Sequence, residues 1–97
     1  MKQILIEKYI EPSETTNIYD SLFIELWLNR NYDLQSFFGQ PAVIEYYNGK
    51  VRCKSWYKKG VLHREKNLPV KIYYHENEIT WREEWYKNRM LINIRDY

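Results

Sequence analysis

With 97 residues, the chain has room for one domain and a modest core, which leaves little space for a second domain or a deep catalytic cavity. It is 18% aromatic (ten Tyr, four Trp, three Phe) and 29% charged, a mixture that suits thin β-structure in which half-buried Tyr and Trp use an apolar body and a polar tip together. The net charge of +2 is not that of a dedicated nucleic-acid binder, the single Cys53 excludes an intramolecular disulfide, and no apolar run approaches the roughly 20 residues of a membrane helix.

The first predicted element is a strand over residues 2–9, where Leu5 and Glu7 alternate with Ile4 and Ile6, and it reads as a cap on a sheet. The same segment lacks the long apolar region and small-residue cleavage site of a signal peptide, and a lone cysteine suits a reducing compartment. A cytoplasmic protein is therefore expected, of a bacterial cell or of an infected host cell.

From residue 12 the chain repeats. Trp27, Trp56 and Trp85 stand 29 residues apart, and Pro12, Pro41 and Pro69 stand 29 and 28 apart. Regular spacing of two rare residue types predicts three units, approximately 12–40, 41–68 and 69–97. Each reads as strand, turn, strand, turn and short return strand. Asn48-Gly49 is a strong two-residue hairpin signal, because a primed turn needs positive φ at both central positions. Gly60 supplies the left-handed position of the next turn, Asn31 takes its place in the first unit, and Arg89 in the third predicts a looser turn. Between turns the period is two: Leu22, Ile24, Leu26 and Leu28 alternate with Phe23, Glu25 and Trp27, as Val51, Cys53, Ser55 and Tyr57 do with Arg52, Lys54 and Trp56. A helix over residues 21–31 would break the repeat. The predicted fold is all-β, a single-layer twisted antiparallel sheet of about three hairpin repeats behind an N-terminal capping strand.

The second unit, with Asn48-Gly49, then WYKKG, LHRE and a proline opening the next unit, resembles the variant MORN repeats of bacterial YwqK-type antitoxins and of large virus-encoded arrays. The positions that carry the resemblance are Tyr46, Gly49, Trp56, Tyr57, Gly60, Leu62 and His63, with Tyr74, Trp85 and Tyr86 in the third unit. It implies a one-layer sheet that grows by hairpins and serves as a platform for proteins, or in some proposals for lipids, without catalytic apparatus. Glu78 and Arg89 depart from the pattern where glycines are usual, and Gln35 stands in the place of His63. These departures fit a compact array of three units.

Charge is unevenly spread. Residues 1–49 sum to −4, residues 50–66 to +6, and the remainder to zero. The basic stripe of Lys50, Arg52, Lys54, Lys58, Lys59, Arg64 and Lys66 is read first as a solvated face. If functional, it meets an acidic protein surface or a phosphate backbone, and the acidic first half favours protein over nucleic acid. By alternation Arg52 and Lys54 share a face. Trp27, Trp56 and Trp85, with Gly49 and Gly60, are read as structural, the tryptophans as a cross-strand stack. Trp81 has no aromatic counterpart at Arg52 and is the candidate exposed anchor.

His63, His75 and Cys53 are scattered rather than set at ligand spacing, so no metal or other cofactor is expected. Cys53 falls on a half-buried strand face, and Glu83 and Glu84 point to opposite faces, so no catalytic residue and no enzyme is expected. The leading expectation is a non-enzymatic protein-binding module that blocks a macromolecular partner. Its contacts are Trp81, Tyr46, Tyr74, Arg52, Lys54, Lys58 and Lys59. Size and resemblance together imply an antitoxin-like role, or that of a virus-encoded, anti-CRISPR-like inhibitor of host defence. The alternatives are a nucleic-acid binder using residues 50–66 and a self-assembling repeat protein, a homodimer in the simplest case; no membrane partner is expected.

Overall fold

The computed structural model describes residues 2–10 and 20–97. Among them there is no helix. Seven strands form one antiparallel sheet in the order β1-β2-β3-β4-β7-β8-β9: β1 (Lys2–Ile10), β2 (Asp20–Leu28), β3 (Val43–Tyr47), β4 (Lys50–Ser55), β7 (Lys71–Tyr74), β8 (Thr80–Lys87) and β9 (Met90–Asp96). A two-stranded ribbon of β5 (Tyr57–Lys58) and β6 (Val61–Leu62) leaves the end of β4. The sheet does not close, so β1 and β9 are its two edges.

The expected capping strand is present and extends one residue further, to Ile10. It also takes a part that the proline spacing had given to residues after Pro12. It pairs with β2 over its whole length, from Lys2 opposite Leu28 to Ile10 opposite Asp20, while β3 holds the other side of β2. Residues 2–10 are therefore the leading arm of the first hairpin. Pro41 and Pro69 each stand two residues before a leading strand, at Val43 and Lys71, whereas Pro12 follows its leading strand. Pro12 itself lies outside the described residues.

What recurs faithfully is the backbone around each tryptophan. The Trp27 N–H donates to the Ala42 carbonyl (2.8 Å), and the Trp56 N–H donates to that of Val70 (2.9 Å). Ala42 N–H in turn donates to Ser55 (2.9 Å) and Val70 N–H to Glu84 (2.8 Å), while the Trp27 and Trp56 carbonyls accept from Gln35 and His63 N–H (both 3.0 Å). Gln35 thus does what His63 does, through a backbone group that any side chain permits. The residue after Pro41 and after Pro69 sits on this row, and it is small and buried: Ala42 is fully enclosed and Val70 is 3% exposed.

Turn geometry follows the residues that tolerate positive φ. Asn48-Gly49 (φ 51° and 80°) and Lys59-Gly60 (50° and 80°) close two-residue turns. Asn88-Arg89 closes as tightly, with φ of 51° and 67° and Lys87 opposite Met90, so the looser turn expected at Arg89 does not occur. Asn leads the turn and a long side chain at the second position points to solvent, so the left-handed conformation there costs only its intrinsic ~1–2 kcal/mol.

The core is thin. Among the described residues Leu28, Ala42, Cys53, Trp56 and Val70 are the buried apolar ones, joined by Pro41, Pro69, Ser55 and Glu84, and most other strand residues are half-buried. Because Ala42 is fully enclosed, Ala42→Leu is expected to destabilise the fold by about 1–3 kcal/mol, through overpacking. Urea unfolding should show a lower midpoint with an unchanged slope; an unchanged midpoint would remove Ala42 from the core.

Candidate functional site

The hairpins share a second irregularity. In β3–β4 the pairing passes from Glu45–Cys53 to Tyr46–Val51 and skips Arg52; in β7–β8 it passes from Tyr73–Arg82 to Tyr74–Thr80 and skips Trp81. Arg52 and Trp81 are therefore equivalent bulge residues in successive units. A bulge breaks alternation and re-aims a side chain. This overturns the sequence inference that Arg52 shares a face with Lys54.

The re-aimed side chains wall a concavity of about 360 Å³ near the turn ends of the two hairpins. Arg52, Tyr46, Tyr74 and Trp81 line it, with Tyr47 and Tyr73 beside them and Glu45, Cys53 and Leu22 completing it. Each is held. The Arg52 Nε–H donates to the Tyr74 carbonyl (3.1 Å), and its guanidinium lies 5.7 Å from the Tyr47 ring centre. Tyr46 meets Phe23 edge-on at 5.6 Å, and burial, then the Glu25 charge, holds its phenol above the usual range. Tyr74 is held up likewise, chiefly by burial, and carries the Lys54 ammonium 5.5 Å from its ring. Trp81 is not the exposed anchor expected: it is half-buried, its ring 5.7 Å from Tyr73 and 6.0 Å from His75.

Four of the seven expected contact residues thus converge: Trp81, Tyr46, Tyr74 and Arg52. Lys54 touches the cluster from outside through Tyr74. Lys58 and Lys59 do not join it. They sit on the β5–β6 ribbon and border a different groove.

The expected tryptophan stack does not form among the described residues. Each ring is fixed by its own surroundings. The Trp56 indole N–H donates to the Gly39 carbonyl (3.0 Å) and the Trp85 indole N–H to that of Asn67 (2.9 Å), while Arg64 lies 3.7 Å over Trp56 and Arg95 5.7 Å over Trp85. Trp27 borders a small hollow with Phe37, Phe38 and Pro41.

Glu84, on the same sheet, was not legible as a polar centre. It is 7% exposed, accepts from the Tyr73 and Tyr86 hydroxyls (3.2 and 3.0 Å), and lies 3.2 Å from Arg82 Nε, close enough for an ion pair though not aligned for a hydrogen bond. Alternation along β8 sets Arg82, Glu84 and Tyr86 on one face, and the register of β7 on β8 adds Tyr73. Glu83, on the other face, accepts from the Tyr97 hydroxyl. Among the described residues no three His, Cys, Asp or Glu side chains gather as metal ligands, and no helix is long and apolar enough to cross a membrane.

No protein-family profile matches the chain, and neither a curated protein nor a solved structure is detectably similar to it.

Cys53, on the concavity floor, is 5% exposed; burial, then the Glu45 charge, pushes its thiol from the usual 9.0 up to about 11. At neutral pH it is a protonated packing group rather than a thiolate. Across this window the unfolded chain has released a proton that the folded chain keeps, so stability falls as pH rises from about 9 to about 11. Melting temperature is expected to drop over that range and to drop less in Cys53→Ala. An equal drop in both would assign the effect to other groups, Tyr73 first, whose phenol is raised by burial and then by Glu84.

Proposed function

We propose that this chain is a non-enzymatic protein-binding module that acts by occupying a surface of a larger macromolecular partner. The observation that carries the reading is the convergence of Tyr46, Tyr74 and Trp81 with Arg52 around one shallow concavity of the sheet. Aromatic and arginine side chains held by their own neighbours lose little freedom on binding, and they dominate the energetics of protein interfaces. The floor offers a protonated thiol and tyrosine hydroxyls rather than an activated nucleophile. An antitoxin-like or anti-CRISPR-like blocking role is the specific form of this reading; it rests on small size and on the resemblance of the second unit to variant MORN repeats.

The test is capture of partners by tagged protein from lysate of its native host, in moderate salt with nuclease present, followed by titration of any stoichiometric protein. Trp81→Ala is expected to weaken binding about thirtyfold, the ~2 kcal/mol of a hot-spot aromatic. Trp81 also packs on Tyr73, so melting curves must show the variant folded. Unchanged affinity in a folded variant would remove the concavity from the interface.

A second reading has its own observation. The edge strand β9 is exposed at all seven residues, with Met90, Leu91, Ile92 and Ile94 uncovered. Long apolar edges template pairing, so a symmetric homodimer through β9 is the self-assembling alternative. Light scattering is then expected to show mass rising with concentration in the wild type but not in Ile92→Lys. A constant monomer mass in the wild type would dispose of it.

A further inference from the structure

A groove of about 660 Å³, larger than the aromatic concavity, shares no residue with it. It runs between the β5–β6 ribbon and the β8–β9 hairpin, and three turns bring lysines to its rim: Lys59 at the ribbon tip, Lys66 in the linker turn and Lys87 beside Asn88-Arg89. With Lys58 and Arg64 they make five cations against one carboxylate, Glu65, a net of +4 where the whole chain carries +2. Glu65 is already matched: its acidity is strengthened by the His63 hydrogen bond (3.1 Å) and by Lys58 at 3.9 Å. Arg64 is also committed, its Nη1–H donating to the Pro69 carbonyl (3.0 Å) while its plane lies over Trp56. Lys59, Lys66 and Lys87 are exposed and have no carboxylate within ion-pair distance among the described residues.

Beneath this rim the groove is aliphatic. Val61, Leu62, Leu68, Val70 and Ile92 border it, and Ile92 is the residue skipped by the β8–β9 pairing. The groove's two large aromatics, Trp85 and Tyr86, are each fixed by a hydrogen bond at the ring edge, to Asn67 and Glu84 respectively, and Arg95 lies over the Trp85 ring. A single-stranded nucleic acid would need open rings on which bases stack. A hydrophobic floor under a lysine rim instead matches a ligand that is apolar on one side and anionic at its margins.

We propose that this groove binds an acidic, apolar-faced segment of a partner protein, with aliphatic side chains against Val61, Leu68 and Ile92 and carboxylates at Lys59, Lys66 and Lys87. This rests on the protein-binding reading but names a second contact, at the opposite end of the strands from the aromatic concavity.

The test is fluorescence anisotropy with three labelled probes matched in charge: a short peptide alternating Glu with Leu, poly-Glu, and oligothymidylate. Expected is saturable binding of the alternating peptide, about tenfold tighter than either control, and weakened about tenfold or more when Lys59→Glu, Lys66→Glu and Lys87→Glu are combined. Added salt should weaken it as well. The three lysines are surface residues, and a circular dichroism melt confirms that the variant folds; Leu68→Glu, which blocks the floor, provides an independent loss. Poly-Glu binding as well as the alternating peptide overturns the role of the floor. Tighter binding of oligothymidylate overturns the proposal in favour of nucleic acid, and no binding at low salt, or binding unchanged by charge reversal, overturns it outright. Trp81→Ala should leave peptide affinity unaltered. A captured partner that depends on Trp81 while the peptide fails to bind would therefore sink the groove and leave the protein-binding module standing.

Discussion

The row of backbone hydrogen bonds through Ala42 and Val70 is the constraint on which the rest of the molecule depends. A one-layer sheet has no second layer to pack against, so its strands must be joined where they leave the sheet as well as within it. Ala42 receives from Trp27 and gives to Ser55; Val70 receives from Trp56 and gives to Glu84. Each such residue follows a buried proline that brings the chain in at a fixed φ without demanding a partner for its own nitrogen. Anything much larger than Val at these positions would push apart the elements that the row joins. The tryptophans then lock the linkers, since Trp56 and Trp85 each reach back 17 or 18 residues to a linker carbonyl.

The thin core also explains why so many aromatics and so many charges occur together. Five ring–cation pairs lie among the described residues: Arg52 with Tyr47, Lys54 with Tyr74, Arg64 with Trp56, Lys71 with Tyr73 and Arg95 with Trp85. The cationic ends of these Lys and Arg side chains lie over rings that no second layer covers. Each contact is individually weak, ~0.5–1 kcal/mol at exposed sites. Much of the basic stripe is therefore cover, and only the lysines that touch no ring and no carboxylate are free to meet something else.

Sequence made the repeat legible wherever backbone demands were written in rare residues. The tryptophan spacing and Asn48-Gly49 located the second and third hairpins, the alternation over residues 2–9 located β1, and the sheet followed from these. Pro12 misled because a matching interval does not ensure a matching place: β1 already supplied the first leading arm. The bulges at Arg52 and Trp81 left no mark, since neither residue is one that a bulge requires, and alternation carried straight through them gave Arg52 the wrong neighbours and Trp81 too much exposure. The Glu84 centre was hidden for a different reason. Alternation puts Arg82, Glu84 and Tyr86 on one face of β8, but only the register of β7 on β8 adds Tyr73 and closes the group around the carboxylate.

Where a repeat is regular it mainly serves the fold; where equivalent positions differ, the difference is available to function. The bulge position holds Arg in one unit and Trp in the next, and because these neighbours face one concavity, the substitution produces a mixed aromatic and cationic surface that no perfect repeat would have. The return segments diverge in the same way. After Trp56 the chain makes a short ribbon with lysines at its tip, whereas after Trp85 it continues as the full-length β9. The groove between them exists because the two segments are unequal: the ribbon turns away early and β9 does not, leaving an aliphatic channel with lysine-bearing turns on both sides. A strictly periodic sheet would close that channel, so the departures from the repeat are the features from which a specific partner could distinguish one end of this molecule from the other.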